Sequence, residues 1–137
     1  MKVVGFNFTK MSVEKESDKF ENLKINTKID ITDINQVKSD VFQSKENLIE
    51  IKFSYTINYD PKIAQISFAG NLLVLVDEKT AKKFLKEWKS KKFPEEHKIL
   101  LFNVILKKSN LKALQLEDEL NLPLHIALPS VKEIKQN

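Results

Sequence analysis

His97 and His125 are the only imidazoles in the 137-residue chain, and a whole predicted helix separates them. The chain has no cysteine, which excludes thiolate catalysis, disulfides and Cys-ligated zinc. Two imidazoles could hold a metal only with carboxylate help, and no ligand spacing in the sequence supplies it. Acids cluster at Glu14-Lys15-Glu16 and Glu117-Asp118-Glu119. The second cluster lies near a helix end, where solvation accounts for it. Neither sets a base beside an oriented nucleophile, so the reading is non-enzymatic, with no cofactor. His97 reads as a first-turn surface residue. His125, amid Leu124, Ile126 and Leu128, reads as a satisfied, partly buried histidine.

All 23 basic residues are lysine, against 19 acids, for a net charge of +4. Arginine is the preferred residue for bidentate recognition of phosphate, guanine and carboxylate. Its absence argues against sequence-specific DNA reading and against phosphotransfer that needs an arginine clamp. The two glycines, Gly5 and Gly70, leave no loop of the Walker or dinucleotide kind to cradle a phosphate. The lysines concentrate at Lys79, Lys82, Lys83, Lys86 and Lys89, followed by Lys91 and Lys92. Such a run could attract anionic lipid or nucleic acid. A solvated face is the simpler reading, because Phe84 and Trp88 fall on the opposite helical stripe. No nucleic-acid partner is expected.

The elements that position these residues follow from periodicity. Ile49, Ile51, Phe53, Tyr55, Ile57 and Tyr59 alternate with Glu50, Lys52, Ser54, Thr56 and Asn58, the period of a strand with one buried face. Asp60-Pro61 suits a turn. A second run, with Ile66, Phe68, Leu72, Val74 and Val76 in phase, completes a long antiparallel hairpin. Val3 to Phe8 predicts an edge strand with Val4, Phe6 and Phe8 on one side. The polar segment Thr9 to Glu21 reads as an excursion across the sheet. Leu23, Ile25, Ile29 and Ile31 share the parity of another strand, and Asp33 to Asn47 reads as a long connection with room for a helical turn.

Ala81, Phe84, Leu85 and Trp88 stand at i, i+3, i+4 and i+7, a helical stripe with Asp77 as N-cap and Glu78 in the first turn. Phe93-Pro94 ends it. Pro94-Glu95-Glu96 opens a longer helix to about Leu116, apolar nearly all round over Ile99 to Leu106. That excess predicts burial against a second subunit, with Leu100, Leu101, Val104 and Ile105 at the oligomer interface. Asn121 to Pro129 reads as an extended segment along the body, and Ser130 to Asn137 as a short helical end. No apolar run approaches the roughly 18 residues a membrane span needs, and the apolar start at Met1 lacks a cleavage site. The expectation is one cytoplasmic domain over residues 1–137, without membrane insertion.

This order of elements resembles the SecB family of export chaperones. Phe8-Thr9-Lys10 with Ser12 and Glu14 is similar to that family's aromatic-Thr-Lys…Ser-aromatic-Glu opening, one residue shorter and with Val13 at the aromatic position. Leu23 to Ile31 and Ile49 to Tyr59 resemble its second and third strands. Ser67-Phe68-Ala69-Gly70 resembles the entry into the region after its fourth strand, and Leu120-Asn121-Leu122-Pro123 its Leu-Asn-Leu-Ala-Pro segment. The resemblance covers nearly the whole chain. It implies an α+β fold, a four-stranded antiparallel β-sheet with two helices packed on one face, assembled as a homotetramer, a dimer of dimers. It also implies an ATP-independent holdase that binds unfolded proteins or preproteins in apolar surface grooves during protein transport. Typical members are acidic and meet the SecA motor through acidic surface and a zinc-binding Cys/His tail. This chain is basic and its sequence stops at Val131-Lys132-Glu133-Ile134-Lys135-Gln136-Asn137. SecB-like relatives that serve antitoxins suit it at least as well.

A holdase needs accessible apolar area beyond its core. Phe20, Phe42, Phe84, Trp88 and Phe93 are the candidate client-binding residues, since they lie in or beside the connections that would flank a groove. For any one of them, core or interface packing outweighs client contact. The alternative reading is a structural or adaptor protein of the same fold with one dedicated folded partner.

Overall fold

The computed structural model of the chain describes residues 1–38 and 46–132. Four strands, β1 (Lys2–Lys15), β2 (Lys24–Val37), β3 (Asn47–Asp60) and β4 (Ala64–Val76), precede two helices, α1 (Glu78–Trp88) and α2 (Glu95–Glu119). The strands form one antiparallel sheet in the order β1-β4-β3-β2. β3 and β4 are central and form the hairpin that alternation predicts, with Asp60-Pro61 at its turn in the cis form. Their inward residues, from Ile49 to Tyr59 and from Ile66 to Val76, are almost wholly buried. The two helices cover this same face: Phe84 of α1 and Leu101 and Ile105 of α2 join one core cluster with Ile51, Phe53 and Leu72. The opposite face is a polar ladder in which Asn7 donates to Asn71 and Asn71 donates to Glu50.

The edge strands are longer than the alternation predicts, because each contains a bulge that resets the parity. β1 shifts register at Val4 and again at Thr9. Val4 is therefore exposed, not inward, and Val3 packs against the core with Phe6 and Phe8. The predicted excursion from Thr9 shrinks to the residues after Lys15. There Glu16 and Ser17 donate to the Ile63 carbonyl in the β3–β4 turn, carrying the chain past the hairpin tip to the far edge. β2 shifts register at Thr32, which turns Ile34 inward. The stretch after Asp33, expected as a connection, thus begins as strand. Val41 and Phe42 lie outside the described residues, as does the proposed helical end from residue 133 onward.

α1 forms as its sequence requires. Asp77 accepts the Thr80 amide at 2.7 Å, satisfying one of the unpaired donors of the first turn. Ala81 and Phe84 are fully buried, and Leu85 and Trp88 pack beside them. The helix ends at Trp88, earlier than Phe93-Pro94, with Lys91 in the left-handed region at φ 57°. α2 buries Leu101, Ile105, Ser109, Ala113 and Glu117. That line has a strict four-residue spacing, so the contact winds around the helix as it crosses the twisted sheet.

Candidate functional site

β2 is an edge strand, hydrogen-bonded among the described residues to β3 alone. Its inner face carries Ile29 and Ile31, both half-buried, toward the corner where α1 gives way to α2. Trp88 comes from the last residue of α1, Phe93 and the buried Pro94 from the connection, and Phe102 from the second turn of α2. Together they line an open groove of about 920 Å³ between the sheet edge and the helical corner. Phe84 lies behind it, its ring 5.2 Å from that of Phe93 and 5.2 Å from His97. The Trp88 indole approaches the carboxyl of Asp33, just past the β2 bulge. The Asn35 amide first, then the Ile34 N–H and the Trp88 indole, hold that carboxyl below the usual carboxylate range.

The rim is charged and internally paired. Lys83 of α1 bridges to Glu96 of α2, raising the lysine and lowering the glutamate, each chiefly through that hydrogen bond. Lys98 approaches Glu95 at 3.8 Å and Lys91 lies 4.7 Å over the Trp88 ring. An apolar floor, a paired polar rim and a strand with a free edge accept an extended polypeptide. In that geometry the side chains of an added strand would enter the groove while its backbone paired with β2.

Of the five predicted client-binding residues, Trp88 and Phe93 line this groove. Phe84 is fully buried and offers no surface. Phe20 lies on the crossover after β1 under the Lys15 ammonium, away from the groove lining. Phe42 lies outside the described residues. The sequence reading missed Ile29, Ile31 and Phe102. The signal for the isoleucines was present: they are the apolar parity of a strand that becomes an edge. The predicted interface residues also separate. Leu101 and Ile105 are fully buried against their own sheet, Val104 is half-buried, and Leu100 is half exposed. The first half of α2 is therefore not covered on several sides within the chain, because Ile99 and Leu100 point outward.

A second polar cluster lies at the other end of the sheet. Glu117, expected in solvent, is fully buried, and the His125 side chain is 3% exposed. Glu117 accepts from His125 Nδ1 at 2.7 Å and from the His125 backbone N–H at 2.9 Å. His125 Nε2 lies 3.0 Å from Asn110 Oδ1, which accepts the Tyr55 hydroxyl at 2.6 Å. Tyr59 donates to the Pro123 carbonyl at 2.7 Å. This network ties the extended segment after α2 to the body. His97 is half-buried, edge-on to Phe84, and not a free surface residue. Among the described residues no group of three or more His, Cys, Asp or Glu could hold a metal. No helix among them is long and apolar enough to cross a membrane.

No protein-family model matches the chain, and no curated protein matches its sequence. Among solved structures it is similar to the Mycobacterium tuberculosis Rv1957 SecB-like chaperone, determined in complex with a ChAD peptide from the Rv1956 HigA1 antitoxin. The alignment covers 98% of this chain and 92% of that one, with a TM-score of 0.50 and 10% identity. At that identity the likeness is one of fold: the sheet and helices described above are SecB-like.

Proposed function

We propose that this protein is a non-enzymatic, ATP-independent chaperone that holds extended, unfolded polypeptide segments, working as a cytoplasmic homo-oligomer. One observation carries the reading. The regular part of an edge strand, from Lys24 to Ile31, forms one wall of a groove whose other wall is Trp88, Phe93 and Phe102. Strand addition supplies affinity without regard to sequence, and a groove for alternate side chains supplies the rest. Both glycines lie inside strands, which fits a protein without a nucleotide-cradling loop. A second reading, an adaptor with one dedicated partner, draws support from the similar fold that holds a single antitoxin peptide.

Client breadth separates the two. At near-equimolar ratio and without nucleotide, the protein should suppress aggregation of two unrelated, chemically unfolded proteins. Trp88→Ala together with Phe102→Ser should weaken that suppression while leaving the far-UV circular dichroism unchanged. Protection of neither protein would discard the holdase reading and leave the adaptor.

A further inference from the structure

Lys79, Lys82, Lys83 and Lys86 stand at i, i+3, i+4 and i+7 on α1, a cationic stripe opposite the apolar one. With Lys92 they line a shallow depression of about 510 Å³. It shares Lys83, Glu87 and Lys92 with the apolar groove, so the two are continuous. Their lysines differ in how they are used. Lys83 is answered by Glu96 and Lys82 by Glu78 at 3.2 Å. Lys79, Lys86 and Lys92 form no ion pair among the described residues. A groove with balanced charge thus opens onto a surface where three lysines without an ion pair stand beside one acid, Glu87.

We infer that the preferred occupant is a polypeptide segment whose apolar stretch is followed by a run of aspartate and glutamate. The apolar side chains lie against Trp88 and Phe93 and the acids run along the lysine stripe of α1. The inference rests on the peptide-binding reading and names the chemistry of the partner. Like charge along the same path disfavours basic flanks, so the stripe also selects against them. Nucleic acid fits less well. The chain has no arginine, Phe84 is buried and Lys91 lies over the Trp88 ring, so the lysine stripe has no row of open aromatic faces on which successive bases could stack.

Trp88 is the only tryptophan, so its emission reports occupancy of the groove directly. The full chain would be titrated with Trp-free peptides sharing one alternating Leu/Val core, flanked by acidic, neutral or lysine residues. The acidic peptide should bind about tenfold more tightly than the neutral one, the sum of a few exposed charge pairs. That advantage should vanish in about 0.5 M salt and in the triple variant K79E/K86E/K92E, whose substitutions are all at exposed positions. Equal affinity for all three peptides overturns the charge inference and leaves the groove reading standing. No Trp88 response to any peptide removes both. An acidic peptide lacking the apolar core that binds as tightly, or a single-stranded oligonucleotide of matched charge that competes equally, overturns the inference in favour of a plain polyanion surface.

Discussion

Glu117 takes its carboxyl into the interior with no lysine paired to it among the described residues, and burial of that kind is costly unless each oxygen finds a donor. The ring and backbone N–H groups of His125 meet that need. The same charge acts on its neighbours. Burial first, and then the Glu117 charge, push the phenols of Tyr55 and Tyr59 well above their ordinary value, which is about 10 in an unfolded chain. The sign follows from linkage. Above about pH 10 the unfolded chain loses phenolic protons that the folded chain keeps, so the contribution of the two tyrosines is constant below that pH and falls above it. These are the only two tyrosines, so the expected result is a single event. Phenolate absorbance should rise together with loss of circular dichroism in an alkaline titration. A phenolate transition near pH 10 with the fold intact would show that the two hydroxyls are open to solvent. Glu117 was legible in one respect only: it continues the four-residue line from Leu101 through Ala113. Its place among Asp118 and Glu119 hid that pattern.

At the scale of strands, Gly70 is the position where geometry leaves least freedom. It sits on the buried face of β4, opposite Phe8 on one side and Phe53 on the other. A Cβ there would stand 2.3 Å from the Asn7 carbonyl oxygen and 2.8 Å from the Phe53 ring. The ring could swing aside, but the backbone oxygen could move only by parting β1 from β4. Gly70→Ala should therefore cost at least about 1–3 kcal/mol, read as a lower denaturation midpoint with little change in slope. A loss within about 0.5 kcal/mol, the range of an ordinary surface change, would show that the strand pair yields easily. β3, β4 and the body of α1 were legible, though not where α1 ends, because Ile49 to Tyr59 keep period two and Ala81 to Trp88 keep the helical period without interruption. The ends of β1 and β2 were not. A bulge moves every later side chain to the other face, so Met11 and Val13 looked isolated after Thr9, and Ile34 looked out of phase after Thr32. The groove inherits that loss: two of its walls are recognisable as apolar residues, but that β2 is an edge depends on strand order, which periodicity does not encode.

Across the whole molecule, α2 has two apolar sides and the sheet accounts for one. Ile99 is 73% exposed, Leu100 50% and Leu111 59%, with Val104 half-buried among them. Leu100, Val104 and Leu111 follow the spacing of a helix–helix seam, with Lys107 as its interruption. A two-fold axis near the middle of this face would lay Leu100 of one copy over Leu111 of the other and cover both, as a self-complementary contact requires. The proposed homo-oligomer therefore uses Leu100 and Val104 of the four predicted interface residues, and adds Ile99 and Leu111. Leu101 and Ile105 serve the protomer's own core. Two variants separate these roles. Leu100→Asp with Leu111→Glu should yield monomers by sedimentation equilibrium with unchanged circular dichroism. Leu101→Ala should instead cost about 2–5 kcal/mol of stability, as a core truncation does. The peptide groove lies between β2 and the α1–α2 corner. The monomeric variant should therefore keep the affinity of the single site, read from Trp88 emission, and lose the added strength that a long client gains by spanning two copies. A parent protein that sediments as a monomer, or a double variant with undiminished mass, would remove this face of α2 from the assembly and overturn the reading of its leucines as an interface.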